Sequence, residues 1–312
     1  MLNPDNIWIA VDGGGTKTAF CACNSAGIKI YDKTFGNANY KVSDLGAVTE
    51  NLIKAYNTML SDLQILPEQI AGMVMGIAGC DSQQDVDIYL NIMRQAGIPK
   101  DKLYICNDTE LIFRAISDED GICAVAGTGS IVCGFNENAM VARMGGWGSP
   151  LSDEGSGYWV GAKILRGMIR WLDGMDEPYN PIYDEIRKRF ISVEPELQWV
   201  LSALSITEVA SVAPLVFAYA TEGDDNCREI IRQAAEHLVG LIVNLCTKIK
   251  YAGRFTVVLV GGLFSNEEFY KTVKAGVRQL LPDSDIAFRR PENSPAEDGL
   301  LFARKRYPEN TN

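Results

Sequence analysis

A strand–turn–strand pattern occurs twice in this sequence, and it constrains the fold more than any other feature. Near the N-terminus the apolar run "WIAV" leads into "DGGGTKT", and strands are predicted over 7–11, 18–23 and 28–35. The same order returns from Ile122 in "ICAVAGTGSIVCGF", the turn "NEN" and "AMVARMGG". The two turns begin at Gly13 and Gly127, so their separation matches the length of one small domain.

Helical and strand patterns follow each copy. The second copy is followed by predicted helices over 156–172 and 227–250, and then by the strand pattern "FTVVLVGG". The 312 residues, of which 47% are hydrophobic, are enough for two domains with their own cores. We therefore expect an α/β fold that arose by duplication.

The charge of the chain limits its partners. A net charge of −11 provides no basic face for nucleic acid or an anionic membrane, so we expect neither as a partner. No apolar stretch reaches the roughly 18 residues of a membrane span, and the N-terminus lacks the pattern of a signal peptide. We expect a cytoplasmic protein whose ligands are small molecules.

Cysteine and histidine usage excludes several kinds of site. The eight cysteines include no C-x-x-C pair and lie mostly in apolar segments, which predicts reduced core residues. The single histidine, His237, lies in a stretch with helical spacing and is predicted to be an ordinary helix residue. Ser-His-Asp hydrolysis and histidine-based metal sites are therefore disfavoured.

The glycine-rich turns suit a phosphate ligand. A backbone without side chains can approach a ligand closely, and successive N–H groups form a concavity for phosphate oxygens. Neither turn has the spacing of a Walker A loop or of a dinucleotide fingerprint. Either turn alone is better explained as a tight hairpin, but two copies on a duplicated fold favour one shared polyphosphate.

Six segments, in order and across almost the whole chain, carry a resemblance to a known family: "VDGGGTKT", "MGIAGCD", "ICNDTE", "AGTGS", "GGWGSPLSDEGSGYWVG" and "VLVGGLFSN". They resemble the BadF/BadG/BcrA/BcrD ATPase family, and within it the N-acetylglucosamine kinase branch. The resemblance implies the actin/hexokinase/Hsp70 ATPase fold, with two RNase H-like domains closing over ATP and substrate at a central cleft. The expected domains are 1–118 and 119–312, with the last helix, about 294–307, able to pack on the first.

The resemblance implies ATP and Mg²⁺ as cofactors. Asp12 ends a strand and would hold Mg²⁺ through water, with turn capping as the alternative role. The expected ATP-binding residues belong to the two glycine-rich turns and to two later segments: Gly13, Gly14, Gly15, Thr16, Lys17, Gly127, Thr128, Gly129, Ala210, Gly261, Gly262 and Asn266.

Asp108 is the candidate catalytic base. It follows the strand "KLYIC", and in the sugar kinases that the chain resembles a carboxylate there accepts the proton of the attacking hydroxyl. The alternative is a helix start, because Asn107 and Glu110 have the spacing of a capping box and Asp108 would favour the helix dipole.

The resemblance also implies a sugar site. Its expected residues, besides Asp108, are Asn39 in the first domain and Gly146, Trp147, Gly148 and Asp153 in the second. Trp147 could instead be a core aromatic residue.

We therefore expect an ATP-dependent kinase that phosphorylates an amino sugar, with N-acetylglucosamine and its 6-hydroxyl as the first choice. Glucosamine and N-acetylmuramic acid remain alternatives. A different reaction class is also open, that of the ATPases that activate 2-hydroxyacyl-CoA dehydratases or benzoyl-CoA reductases through a shared iron–sulfur cluster, as is an actin-like filament protein. The sequence leaves the oligomeric state open and allows a homodimer.

Overall fold

The computed structural model describes residues 6–137, 139–190, 201–251 and 253–309, which divide into two units. The first unit contains the described residues up to Asp118 together with those from Arg290 onward, and the second runs from Glu119 to Arg289. The boundary between the units lies after residue 118, and the C-terminal segment, which contains the helix expected at about 294–307, groups with the first unit.

The first unit is built on a five-stranded mixed sheet with the order β3-β2-β1-β4-β5. Its strands are β1 (Ile7–Gly13), β2 (Thr18–Cys23), β3 (Lys29–Phe35), β4 (Ile70–Ile77) and β5 (Leu103–Asn107). β2 is antiparallel to β1 and β3, whereas β4 and β5 run parallel to β1. Gly13 pairs with Thr18, so residues 14–17 form the hairpin turn that the sequence predicts.

Both faces of β1 are covered. Ile7, Ile9 and Val11 belong to a core formed with helices α1 (Leu45–Leu63) and α2 (Gln83–Gln95). Trp8 and Ala10 belong to a second core on the other face, formed with α3 (Asp108–Ile116) and α10 (Pro295–Arg306). A strand buried on both faces needs an unbroken apolar run, which explains "IWIAV".

The last helix, α10, packs on the sheet of the first unit. It buries Ala296, Leu300 and Ala303 there, and Gly299 lies so close to β1 that a Cβ would stand 3.0 Å from the Cβ of Ala10. The indole Nε1 of Trp8 donates a hydrogen bond of 2.7 Å to the carbonyl oxygen of Tyr307. These contacts explain why the C-terminal segment groups with the first unit.

The second unit repeats the topology of the first. Its sheet has the order β10-β9-β6-β7-β8, with β7 antiparallel to β6 and β8, and with β9 and β10 parallel to β6. The strands are β6 (Gly121–Ala126), β7 (Ser130–Phe135), β8 (Met140–Gly145), β9 (Phe255–Val260) and β10 (Ile286–Arg289). The order read from β8 to β10 matches the order from β3 to β5, which confirms the predicted duplication.

Helices pack on this sheet around a large apolar core. They are α4 (Gly157–Leu172), α5 (Ile182–Phe190), α6 (Ile206–Ala210), α7 (Ala213–Glu222), α8 (Asp225–Ile249) and α9 (Glu267–Leu280). The predicted helices at 156–172 and 227–250 are α4 and α8. His237 lies on α8, as expected, and is exposed. Among the described residues, no helix has both the length and the apolar character needed to cross a bilayer.

Candidate active site

The first glycine-rich turn is tightly packed at Gly13 and exposes polar groups at its tip. Gly13 is buried, and a Cβ there would lie 2.5 Å from Cδ1 of Ile77 and 2.9 Å from the Cβ of Ala38. The N–H of Gly14 closes the turn by donating to the carbonyl oxygen of Lys17 at 2.9 Å. Gly15, Thr16 and Lys17 are exposed at the tip, so the hydroxyl and the ammonium group can reach a ligand.

Asp12, the candidate metal ligand, lies near the end of β1 and is half-buried. Burial, and then the negative charge of Asp108, raise the pKa of Asp12 to about 6, against the opposing effect of Lys17. Asp12 pairs with Gly76 of β4, and Asn107, which precedes Asp108, pairs with Ile77 of the same strand, so both carboxylates lie at the same end of the sheet. Two carboxylates in such a setting can bind a divalent cation, which neutralises their repulsion.

Asp108 is the first residue of α3, directly after β5. Asn107 supplies the N-cap, since its side-chain oxygen accepts from the N–H of Thr109 at 2.8 Å. Glu110 accepts from the hydroxyl of Tyr104 at 2.9 Å rather than completing the capping box that the sequence suggests. The helix start thus has a cap that does not depend on Asp108.

The carboxylate of Asp108 has an unusual environment for an acid at a helix start. Its Oδ1 accepts from the N–H of Thr109 at 2.9 Å. Burial raises the pKa of Asp108 above its usual value, the hydrogen bonds from Thr109 oppose that shift, and the charge of Asp81 adds to it. A raised pKa brings a carboxylate closer to the range in which it can accept a proton during catalysis.

Asn39 lies in a loop joined to the first glycine-rich turn. The N–H of Ala38 donates to the carbonyl oxygen of Gly14 at 2.9 Å, and the side-chain oxygen of Asn39 accepts from the N–H of Lys41 at 2.9 Å. Asn39 packs against Gly79, where a Cβ would lie 3.1 Å from its Nδ2. The predicted residues of the first unit are therefore on connected segments.

The second glycine-rich turn lies at the start of α4. The carbonyl oxygens of Gly127 and Thr128 accept from the N–H groups of Gly157 and Tyr158 at 2.8 and 3.0 Å. Thr128 is exposed. The first N–H groups of α4 therefore donate within the unit, and it is the exposed hydroxyl of Thr128 that can reach a phosphate group.

A cavity of about 700 Å³ in the second unit opens beside this turn. It is lined by five of the predicted nucleotide residues, namely Gly127, Thr128, Ala210, Gly262 and Asn266. Gly261 does not line it, but its φ of +111° and a Cβ position 2.4 Å from the carbonyl oxygen of Ala126 leave room only for glycine.

Other lining residues of this cavity were not anticipated from the sequence. Thr207, Ser211, Pro214 and Phe217 come from α6, α7 and the residues between them. No motif marks them, because their proximity to the second glycine-rich turn results from helix packing. The apolar ring of Phe217 and the hydroxyls of Thr207 and Ser211 suit a flat heterocycle with polar edges.

The predicted sugar loop contains an exposed tryptophan between two glycines with positive φ. Gly146 and Gly148 have φ values of +68° and +89°, a conformation that favours glycine. Trp147 between them is 75% exposed, so it is not a core residue, and the guanidinium carbon of Arg143 lies 4.4 Å from its ring centroid. An exposed indole face of this kind can pack against a sugar ring.

Asp153 is tied to the second glycine-rich turn. It is buried, has a φ of +70°, and accepts from the hydroxyl of Ser149 at 2.9 Å. A Cβ on Gly129 would lie 2.8 Å from its Oδ2, so the glycine makes room for the carboxylate. The second glycine-rich turn and the predicted sugar loop are therefore in contact within the second unit.

The fold and the site together define a class of protein. Two RNase H-like units with glycine-rich turns after their first strands are the actin/hexokinase/Hsp70 ATPase fold. The family model of the BadF/BadG/BcrA/BcrD ATPase family matches residues 9–296, and the chain belongs to that family.

Three known proteins show what the chain is similar to. An N-acetylmuramic acid/N-acetylglucosamine kinase of Clostridium acetobutylicum is 29% identical over 90% of this chain and 95% of that protein. An N-acetyl-D-glucosamine kinase of Dictyostelium discoideum is 28% identical over 82% of this chain and 85% of that protein. A crystal structure from Chromobacterium violaceum, provisionally named an N-acetylglucosamine kinase, has a TM-score of 0.72 at 21% identity and covers 95% of this chain and 98% of its own.

Proposed function

We propose that this chain is an ATP-dependent kinase that transfers the γ-phosphoryl group of ATP to the 6-hydroxyl of N-acetylglucosamine. The observation that carries the proposal is the position of two half-buried carboxylates at the same end of the sheet, Asp12 near the end of β1 and Asp108 directly after β5. Phosphoryl transfer needs one acidic group near the phosphates for a cation and one beside the acceptor hydroxyl as base. Family membership supports the nucleotide, and the names of both curated relatives support the sugar.

Asp108 is the base in this proposal. Its carboxylate accepts the proton of the 6-hydroxyl while the sugar oxygen bonds to the γ-phosphorus, and the bond from that phosphorus to the bridging oxygen breaks to release ADP. The N-cap of α3 is provided by Asn107, so the carboxylate of Asp108 is available to the substrate. Its raised pKa makes proton acceptance from an alcohol less unfavourable than for an ordinary aspartate.

Asp12 holds the metal in this proposal. The donor set fits Mg²⁺, because the ion prefers one or two carboxylates plus water and phosphate oxygens to a cage of protein ligands. When bound, Mg²⁺ supplies positive charge to the phosphate oxygens. The exposed ammonium of Lys17 contributes further positive charge at the same turn.

Each unit offers its own proposed nucleotide contacts, which are the first glycine-rich turn in one unit and the second turn with its cavity in the other. Thr16 and Thr128 provide exposed hydroxyls for the phosphates. The cavity beside Thr128 takes the adenosine, with Ala210, Phe217 and Gly262 among its walls.

Each unit offers its own proposed sugar contacts, which are Asn39 in the first unit and the loop around Trp147 in the second. Trp147 offers its exposed ring, the backbone of Gly146 and Gly148 comes close to the ligand, and Asp153 accepts from sugar hydroxyls. Each sugar hydroxyl that loses water needs such a partner, which makes the site selective.

A screen of ATP consumption tests the proposal. The purified protein is mixed with ATP, Mg²⁺ and, separately, glucose, glucosamine, N-acetylglucosamine, N-acetylmannosamine or N-acetylmuramic acid, and ADP is measured. We expect the highest kcat/KM with N-acetylglucosamine. A higher kcat/KM with glucosamine or N-acetylmuramic acid would assign a different amino sugar as the substrate. ADP formation at the same rate with and without each of the five sugars would contradict the proposal.

The position of the cysteines argues against the electron-transfer activators as an alternative. All eight cysteines are buried and none forms a disulfide, as the sequence predicts. A cluster shared between two subunits needs thiolates that reach the surface, and burial raises the pKa of thiols such as Cys21 and Cys80 to about 12.

A further inference from the structure

A buried carboxylate that is not among the predicted site residues connects two loops of the first unit. Asp85, on α2, is 3% exposed. Its oxygens accept from the hydroxyl of Tyr40, from the ammonium of Lys41 at 3.0 Å, and from the N–H groups of Asp81 and Ser82 at 3.0 and 2.8 Å. Tyr40 and Lys41 follow β3, whereas Asp81 and Ser82 follow β4, so one side chain joins both loops.

Helix capping explains only part of this arrangement. Ser82 is the N-cap of α2 and Asp85 its third residue, so the bonds between these two residues form a capping box. A capping box requires nothing from the loop after β3. The bonds from Tyr40 and Lys41 therefore need another explanation.

The loop that Asp85 holds contains Asn39. On the same face of α2, one turn later, the hydroxyl of Tyr89 donates to the carbonyl oxygen of Ala38 at 2.7 Å. Asn39 thus lies between Ala38, which Tyr89 holds, and the two residues that Asp85 holds. The side-chain oxygen of Asn39 accepts a hydrogen bond from the N–H of Lys41. Helix α2 supports this short segment on both sides of Asn39.

The other loop leads towards Asp108. The Oδ1 of Asp81 accepts from Nδ2 of Asn107, the cap that precedes Asp108, at 2.9 Å. The ammonium of Lys41 lies 3.6 Å from the Oδ2 of the same Asp81. The residues that Asp85 holds are therefore connected to the segments of both Asn39 and Asp108.

We propose that Asp85 is a positioning residue which, through Tyr40 and Lys41, holds Asn39 in the orientation that binds the acceptor sugar. This inference rests on the proposed function and adds a residue that no motif of the sequence marks. Burial by itself would raise the pKa of Asp85, but the hydrogen bonds from Tyr40, Ser82 and Lys41 lower it well below its usual value. Asp85 is therefore ionised at neutral pH, as an acceptor of so many hydrogen bonds must be.

Tyr40→Phe is the variant that separates positioning from capping. It removes the hydroxyl that bonds to Asp85 and leaves the capping box of Ser82 intact. We expect the KM for N-acetylglucosamine, and its Kd by titration calorimetry, to rise about tenfold, the effect of losing a hydrogen bond to a charged group. The KM for ATP should not change, and Asp85→Asn should raise the same sugar constants because its amide cannot replace the second acceptor oxygen.

The same unit offers a matched control. The hydroxyl of Tyr31 and the ammonium of Lys33, on β3, both donate to Asp62 at 3.1 Å, the same combination of groups away from the site. Tyr31→Phe should leave both KM values unchanged. The double variant Tyr40→Phe/Asp85→Asn should bind sugar no worse than Asp85→Asn alone, since both substitutions break one interaction.

Two outcomes would overturn the inference in distinguishable ways. If the wild-type protein phosphorylates the sugar and Tyr40→Phe has the same sugar KM and Kd, Asp85 is only a helix cap and the proposed function stands. If the wild-type protein neither binds nor phosphorylates any sugar of the screen, the proposed function fails and the inference fails with it.

Discussion

Asp12 near the end of β1 and Asp108 directly after β5 lie at the same end of the first unit's sheet, on either side of β4. Burial, followed by the charge of Asp108, raises the pKa of Asp12 to about 6. Burial also raises the pKa of Asp108, and Lys17 opposes the shift of Asp12. Two acids in such a setting repel each other unless a proton or a cation compensates them. Their separate roles can be tested by substitution.

Asp108→Asn removes the proposed base with little change in size. An amide cannot accept the hydroxyl proton, so kcat should fall by about 10²–10⁴-fold. The N-cap at Asn107 is untouched, and the Kd for ATP should stay constant. Steady-state kinetics and nucleotide titration measure the two quantities. A variant with wild-type kcat would leave Asp108 as a first-turn residue without a catalytic role.

Asp12 should make the Mg²⁺-free protein less stable as the pH rises. Because its folded-state pKa of about 6 lies above the unfolded value of 3.8, the folded state binds more protons between these values, and stability falls across that window. Asp12→Asn should therefore be more stable than wild type by about 1–2 kcal/mol near neutral pH, with the difference vanishing at about pH 4. Urea unfolding at both pH values measures this, and equal stability at neutral pH would refute it.

The two threonines should act on the nucleotide. Thr16→Val and Thr128→Val keep the side-chain shape and remove the exposed hydroxyls. Each should raise the KM for ATP by about three- to tenfold, with a smaller change in the KM for the sugar. An effect confined to sugar binding would show that the nucleotide site is wrongly placed.

Gly129→Ala should act on the sugar through Asp153. The new Cβ would stand 2.8 Å from Oδ2 of Asp153, so the carboxylate must move away from the hydroxyl of Ser149. We expect the KM for the sugar to rise about tenfold, as for Asp153→Ala. The double variant should be no worse than Asp153→Ala. Gly240→Ala, where the Cβ meets open space on α8, is the control and should leave both KM values unchanged.

The duplicated sheets could be predicted because their signal is local. The apolar runs of β1 and β6, the glycine-rich turns and the following strands each lie within about twenty residues, and they define the hairpins by periodicity alone. The cap at Asn107 and the strand end at Asp12 are local in the same sense.

The remaining features depend on residues that are distant in the chain. α10 lies in the first unit because Ala296, Leu300 and Ala303 fit against β1, almost three hundred residues earlier. Phe217 lines the cavity, and Asp85 bonds to Tyr40, only through packing of separate elements. No spacing in the sequence encodes such contacts, although the sequence does allow the last helix to pack on the first domain.

Identification of the product is the most direct test of whether the protein phosphorylates the sugar with Asp108 as the base. The wild-type protein and Asp108→Asn are each incubated with ATP, Mg²⁺ and N-acetylglucosamine, and the products are examined by phosphorus and carbon NMR. We expect ADP and N-acetylglucosamine 6-phosphate in equal amounts with the wild-type protein, and almost none with the variant. Release of inorganic phosphate without any phosphorylated sugar, at the same rate in both proteins, would contradict it.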